Sequence, residues 1–314
     1  MNIVIAFEEP PIDRTDLNDV LEQANFLKQH LEPDHEISNL AYTGEVSNFV
    51  EQLSDADIVW NLFETFRGRE EASYLGAALL DMAGAPFTGS GVAALAAASD
   101  KRIVKGILAN VGVATPDTYR PNKNFRAGKW LFKPALTHGS AGITDDSVID
   151  ARTELEMKLS MMTRLTTNYF AERYIDGDEY SVTLLDNEGI LTAVSCAKMQ
   201  FNNYPEDKPK ILNFDSKWSE YSNDYKQTSR SFDVPVALAE QLRELAEITA
   251  NVFGFAGFAR VDFRQDSATG NLYVIDVNPN PALSADSGFI ATCANAGIDA
   301  KTTLERIIKR ALMH

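Results

Sequence analysis

The sequence predicts an α/β protein with more than one domain. Two observations carry this. The first hundred residues alternate strand-like and helix-like patterns in a βαβα order, which suits a parallel sheet with helices on its faces. The chain has 314 residues, 45% of them hydrophobic and 24% charged, an ordinary globular composition in a length that exceeds what one core usually serves.

The elements follow in order. "NIVIAF" is a first strand, and "TDLNDVLEQANFLKQHL" has helical spacing, with Thr15 or Asp16 as its cap. "DIVWNLF" is a second buried strand, "EEASYLGAALLDMAG" a helix closed by Gly84, and "APFTGSG" a short strand and turn. "GVAALAAASDKRIVKGILANVG" reads as helical and "VATPDTYRP" as a proline-marked connector, with a composition shift that sets a boundary near residue 98. "GKWLFKPA" is a strand that leads into the small-residue loop "LTHGSAGI". The helix "ARTELEMKLSMMTRL" precedes two strands around Gly177 in "NYFAERYIDGDEYSVTLLD". "ILTAVSCAKM" is a strand, "NFDSKWSEYSNDYKQ" a polar loop, and "VALAEQLRELAEITANVFG" a helix. "FARVDFRQDSATGNLYVIDVN" closes the pattern as a hairpin turning at Asp266, Ser267 and Gly270.

Charge excludes several partners. A net charge of −16 argues against nucleic acid and against an anionic membrane surface. No apolar run approaches the ~20 residues of a membrane span, and the N-terminus lacks the basic start of a signal peptide. Cys196 and Cys293 stand far apart without CxxC or His spacing. They are expected to be small buried hydrophobes in a reducing cytoplasm, with no disulfide framework and no zinc.

Four groupings bear on chemistry. In the hairpin, Arg260 and Asp262 share one strand face, as do Asp276 and Asn278 on the partner strand. If the strands pair, two carboxylates and an amide oxygen converge into an all-oxygen site suited to Mg²⁺, with Arg260 beside it for a phosphoryl group or an oxyanion. The bland alternative is a solvated face of cross-strand charge pairs. Lys133 ends a strand before Gly139, Ser140 and Gly142, where small residues let backbone N–H groups approach phosphates. A surface loop explains the same residues. Glu172 and Glu179 flank Gly177 as acceptors for an amino group or ribose hydroxyls, or as plain edge charges. Lys101 follows Asp100, a candidate cap, and Lys105 lies one turn on. Lys105 is read as part of an exposed basic face.

The order of these groupings is what identifies a relationship. "NLFETFRGREEASYLGAALLDMAGAPFTGSG…SDKRIVK…GVATP", together with residues 253–287, resembles the ATP-grasp superfamily, in particular the D-alanine–D-alanine ligase-like carboxylate–amine ligases. The likeness runs over nearly the whole chain. It implies a three-domain ATP-grasp fold: a Rossmann-like N-terminal domain (1–98), a small central domain (99–177) and a C-terminal domain with the metal site (178–314). ATP would lie between the last two.

The resemblance also assigns roles. Lys101 and Lys133 would contact the phosphates of ATP, and the loop around Ser140 and Gly142 would close over them. Glu172, with the backbone of Arg173 and Ile175, would receive adenine, and Glu179 the ribose. Lys217, in a lid spanning residues 202–226, would cover the γ-phosphate. Asp262, Asp276 and Asn278 would bind two Mg²⁺ ions, with Mn²⁺ able to substitute. Arg260 would steady the transferred phosphoryl group, and Ser287 and Ala282 would lie at the second substrate. The implied reaction is ADP-forming: a small carboxylic acid, expected to be an amino acid, becomes an acyl phosphate, and an amine displaces the phosphate. A homodimer is part of the same expectation.

The chain departs from the family pattern in places. Asp276 stands where a glutamate is usual, Trp218 where a tyrosine is common, and Ala282 where a glycine follows the proline. The glycine pair followed by Ser and Glu that grips the first amino group is missing, with Glu8 and Glu9 in its place. These changes leave the nucleotide side and alter the substrate side, which argues against D-alanine. Other readings on the same fold are a carboxylate–thiol ligase, a small-molecule kinase and a non-catalytic nucleotide-binding protein.

Overall fold

The computed structural model describes residues 1–10, 19–137, 139–164 and 168–313. The proposed cap at Thr15 or Asp16 lies outside the described residues. β1 (Asn2–Glu8), β2 (Glu36–Tyr42) and β3 (Ile58–Asn61) form a parallel sheet in the order β2-β1-β3, joined by α1 (Asp19–Leu31) and α2 (Val46–Gln52) and followed by α3 (Tyr74–Ala83). The two-residue period of a strand divides the core around β1. Ile3, Ile5 and Phe7 face one hydrophobic cluster with α1, while Val4 and Ala6 face another with Phe49, Leu53, Leu79 and Leu80.

α4 (Val92–Ala98) and α5 (Lys101–Asn110) follow. The sequence reads as one helical stretch, but Asp100 is extended (φ −119°) and its carboxylate accepts the Arg102 N–H, so a second helix starts there. The next sheet is antiparallel, order β5-β4-β6, from β4 (Gly128–Pro134), β5 (Val148–Ala151) and β6 (Tyr169–Arg173). α6 (Glu154–Met162), begun by a capping box between Thr153 and Glu156, packs Met157 with Trp130, Phe132 and Ala171.

The third sheet, also antiparallel, has the order β11-β10-β7-β8-β9. Its strands are β7 (Gly177–Asn187), β8 (Ile190–Phe201), β9 (Thr228–Ser231), β10 (Phe258–Asp266) and β11 (Leu272–Asn278). α7 (Phe214–Trp218) and α8 (Asn223–Gln227) lie in the β8–β9 connection. α9 (Val236–Phe253) covers one face, setting Leu242, Ala246 and Ala250 against Val182, Leu184, Val261 and Phe263. α10 (Gly288–Asn295) and α11 (Ala300–Ala311) return to the first sheet, where Phe289, Leu304 and Ile307 join the Ile3–Ile5 cluster. Gly177 opens β7 where a Cβ would stand 1.9 Å from the Gln265 carbonyl oxygen, so only glycine fits. No helix among the described residues is long and apolar enough to cross a membrane.

Three further features correct the sequence reading. The sequence reading has no strand at β2: its run EISNLAY is an edge strand with three of its seven residues exposed, so the apolar alternation is weak. "APFTGSG" contributes a single bridge, Phe87 to Val59, rather than a strand. The polar loop at 213–227 folds into α7 and α8, whose caps Asn213 and Ser222 accept N–H groups from Ser216 and Tyr225. Cys196 and Cys293 are free and buried, as expected.

Candidate active site

The floor of the site follows from register. β4 and β6 pair with Leu131 opposite Glu172, so Lys133 is the diagonal neighbour of Glu172 on the face away from Trp130 and Phe132. Lys133 Nζ lies 2.6 Å from Glu172 Oε1 and donates to the Ile275 carbonyl at 3.2 Å. That carbonyl is available because a bulge between Asp262 and Phe263 leaves Ile275 without a partner on β10.

α5 adds two more lysines. Lys101, Val104, Lys105 and Leu108 are its buried residues, an i, i+3, i+4, i+7 stripe. Val104 and Leu108 join the core beneath the third sheet, which carries the two cations inward. Lys105 is therefore not the exposed residue expected. It pairs with Glu172 and donates to Thr115 Oγ1 at 2.8 Å. Burial drives its pKa down to about 8 despite Glu172. Burial also opposes charge on Lys133, but Glu172 and Asp276 outweigh it and raise the pKa. Lys101 Nζ donates to the Thr137 carbonyl at 2.6 Å and lies 3.8 Å from Asp276 Oδ2. Three lysines thus meet one buried glutamate and one half-exposed aspartate.

The hairpin forms the opposite wall. Asp262 pairs with Asp276, and Arg260 with Asn278, in the β10–β11 register. Val261 and Phe263, alternating with them, are buried under α9. The Arg260 fork grips Asp262, Nε to Oδ1 at 2.8 Å and Nη2 to Oδ2 at 2.9 Å, and this carboxylate raises the pKa of Arg260. Asp276 Oδ1 accepts the Val277 N–H, and Asn278 Oδ1 accepts the Asn280 N–H. The donor set is two carboxylates and an amide, hard oxygens that fit Mg²⁺ if phosphate and water complete the shell. Among the described residues no three His, Cys, Asp or Glu side chains are grouped to hold a metal by themselves.

Above the floor, Gly139, Ser140 and Gly142 all have positive φ (62°, 64° and 76°), so the loop turns tightly. A Cβ on Gly142 would stand 2.6 Å from the Tyr169 hydroxyl, which donates to the Gly142 carbonyl. The β8–β9 connection closes over this loop. Trp218 Nε1 donates to the Gly139 carbonyl at 2.8 Å and Phe214 N–H to the Ile143 carbonyl at 3.1 Å. Asn213 and Lys208 both reach Asp145. Lys217 lines the cleft, its pKa lowered by burial and then by Arg260.

At the far end Ala282 and Ser287 line the cleft, and the Ser287 hydroxyl caps α10 by accepting the Ile290 N–H. Arg230 lies over Gly288, where a Cβ would come within 3.1 Å of its guanidinium. Glu8 does not reach this end: it accepts from Thr65 Oγ1 and from the Arg67 and Gly68 N–H groups, and Glu9 is exposed. Asp19 and Glu64 occupy the wall instead. Gln23 donates to both and accepts the Leu283 N–H. Burial raises Glu64 to about 7 and Asp19 to about 6, with neighbouring carboxylates adding to both.

Lys101, Lys133, Glu172, Lys217, the hairpin groups, Asp19 and Glu64 open on one cleft of about 830 Å³, with Lys105 packed behind Glu172, within the range of small-molecule sites. It is lined by every residue the sequence singled out for the site except Gly142. Arg173 contributes without its guanidinium, which turns to the Arg126 and Ala127 carbonyls and to Trp130. The sequence reading missed Lys105, Arg230, Arg264, Asp19 and Glu64. For Lys105 a signal existed in the α5 stripe, and for Arg264 in its i+2 spacing from Asp262.

A family model for the D-ala D-ala ligase C-terminus matches residues 130–309, more than half of the chain. The chain belongs to that family. The D-alanine–D-alanine ligase of Neisseria meningitidis serogroup B is 28% identical over 240 residues, 74% of each protein. That of Xanthomonas axonopodis pv. citri is 26% identical over 270 residues, 82% of this chain and 78% of its own. In fold, the family likeness covers the whole chain. The D-alanine–D-alanine ligase of Bacillus anthracis, solved in complex with ATP, superposes with a TM-score of 0.74 at 19% identity, covering 100% of this chain and 98% of that one. The enzyme from Coxiella burnetii gives 0.71 at 15%, covering 100% and 94%.

Proposed function

We propose that this protein is an ATP-dependent carboxylate–amine ligase that activates a small acid, expected to be an amino acid other than D-alanine, as an acyl phosphate. Family membership supports the ligase class and the use of ATP. The observation that carries the site reading is the opposition of Lys101 and Lys133 to the Asp262–Asp276 pair across one cleft between two antiparallel sheets. We read those sheets as the central (99–177) and C-terminal (178–314) domains, with the first sheet in a Rossmann-like domain (1–98).

In this reading the phosphates lie over Lys101 and Lys133 and under the Gly139–Gly142 loop. Adenine lies at Glu172, Arg173 and Ile175, and the ribose at Glu179. Asp262, Asp276 and Asn278 hold Mg²⁺, which when bound offsets phosphate charge. The substrate carboxylate oxygen attacks the γ-phosphorus and the bond to ADP breaks. The amine nitrogen then attacks the acyl carbon, inorganic phosphate leaves and the nitrogen loses a proton. Arg260, released from Asp262, meets the developing oxyanion, an interaction of a kind often contributing ~3 kcal/mol or more to the barrier. The acyl phosphate would be destroyed by water, so the cover carrying Trp218 and Lys217 excludes solvent while it exists.

A phosphate-release screen tests this: ATP, Mg²⁺ and all pairs of common L- and D-amino acids, with mass detection of condensed products. ADP release that depends on an acid and an amine, with a matching condensed mass, is the expected result. Phosphorylation of a hydroxyl with no condensed product would assign a kinase instead.

A further inference from the structure

The nucleotide end of the cleft contains a cation to which the proposed chemistry gives no role. Arg264 lies on β10 two residues beyond Asp262 and faces the cleft with it. Its side chain is only 5% exposed. The guanidinium holds segments that are far apart in sequence. Nη1 donates to the Ile175 carbonyl at 2.8 Å, and Nη2 to the Lys210 carbonyl. Nε lies 3.6 Å from Glu179 Oε2, a pairing set by the β10–β7 register, which places Arg264 directly opposite Glu179. The guanidinium carbon stands 5.2 Å from the centre of the Tyr174 ring.

Each contact falls on a part that moves or binds in the proposed function. Tyr174 and Ile175 join β6 of the second sheet to β7 of the third, so they form the strap between the two walls. Lys210 is at the root of the cover that ends on Gly139. Glu179 is the carboxylate assigned to the ribose. A buried guanidinium is costly unless its donors are satisfied, and here they are satisfied by two carbonyls and a carboxylate. A lysine is a point charge on a flexible stem and reaches fewer of these acceptors at once, whereas the planar fork fixes their separations. The opposing charge of Arg264 also counters the burial that raises the pKa of Glu179.

We propose that Arg264 is a positioning residue for the nucleotide. It locks the strap, the ribose carboxylate and the root of the cover into one arrangement, and so sets affinity for the ribose half of ATP rather than the rate of phosphoryl transfer. This rests on the nucleotide placement proposed above. Residues farther along the same face, Asp262 and Arg260, act on the phosphoryl end, so the two roles separate along one strand.

The test uses full-length wild type, Arg264→Met and Arg264→Lys. Kd is measured by calorimetry for Mg-ATP and Mg-2′-deoxy-ATP, alongside ATP hydrolysis at saturating nucleotide and the thermal midpoint. The expected result for Arg264→Met is a Kd for ATP at least tenfold higher, with a saturated rate within threefold of wild type. Its preference for ATP over the deoxynucleotide collapses toward unity, and Arg264→Lys falls between. An unchanged preference ratio, or a saturated rate that falls while Kd holds, overturns the proposal. If Arg264→Met does not fold, the Kd ratio of Arg264→Lys decides by the same criterion. Failure of the placement is seen separately, because wild type itself would then bind neither nucleotide or bind both equally.

Discussion

Asp262 and Asp276 stand directly opposite each other in the β10–β11 register, beside a bulge that turns the Ile275 carbonyl toward Lys133. Like charges directly opposed in a strand pair are unfavourable on their own. Here the Arg260 fork on Asp262 and Lys101 near Asp276 offset them. In the proposed function this is the face that takes a divalent cation and a polyphosphate.

Removing one of the two carboxylates tests this arrangement. Asp276→Asn keeps shape and removes charge, and it should cut ATP turnover by about a hundredfold or more, the scale of losing one electrostatic stabiliser. Circular dichroism and the thermal midpoint should stay near wild type. Turnover within a few fold of wild type would remove Asp276 from the site.

Lys105 offers a stability test. It is 6% exposed and shares Glu172 with Lys133. Lys105→Met leaves one carboxylate oxygen buried without its cation, and breaking such a pair commonly costs about 3 kcal/mol or more. Urea unfolding should show that loss, and the double variant Lys105→Met/Glu172→Gln should recover part of it. With Glu172→Gln measured alone as well, a double-variant loss equal to the sum of the two single losses would mean the two residues are not coupled.

Glu64 gives a pH signature. Its pKa is raised to about 7 in the fold from 4.5, so the folded state binds the proton more tightly than the unfolded chain does. Its contribution is unfavourable above that range: stability falls as pH rises from 4.5 through 7. Glu64→Gln keeps the Gln23 contact and should raise the thermal midpoint at pH 7.5 by a few degrees, on the order of 2 kcal/mol. The gain should vanish near pH 4. A midpoint unchanged at pH 7.5 would show that Glu64 carries no such strain.

Trp218 tests the cover. Its indole donates to the Gly139 carbonyl and its ring packs where a Cβ on Gly139 would meet it at 3.3 Å. Trp218→Ala should loosen the cover without touching the phosphates. Phosphate released per mole of condensed product should rise severalfold as the acyl phosphate meets water. A ratio unchanged from wild type would place solvent exclusion elsewhere.

Much of the site is legible in the sequence because strands print their geometry at period two. Arg260, Asp262, Asp276 and Asn278 could be placed on one face from spacing alone, and the hairpin has that register. Lys105 was misread because a lysine in a helical stripe signals solvent by default. Only the burial of Val104 and Leu108 beside it, on a core contributed by α9 and the third sheet, reverses this. Arg230 comes from β9, a four-residue strand of Thr, Ser and Arg with no apolar alternation to mark it. Gln23 bridges Asp19 to Glu64, which lies 41 residues along the chain from it, a closure no local pattern announces. The core of β1 was legible for the opposite reason: an unbroken apolar run has few places to be except the middle of a sheet.

The most direct test of the account is isotope transfer from the acid. An amino acid labelled with ¹⁸O in its carboxylate, chosen as one that supports ADP release, is turned over with ATP and the amine, and the inorganic phosphate is weighed. The account predicts one ¹⁸O in each phosphate, carried there by the acyl phosphate. Unlabelled phosphate alongside a condensed product would contradict it.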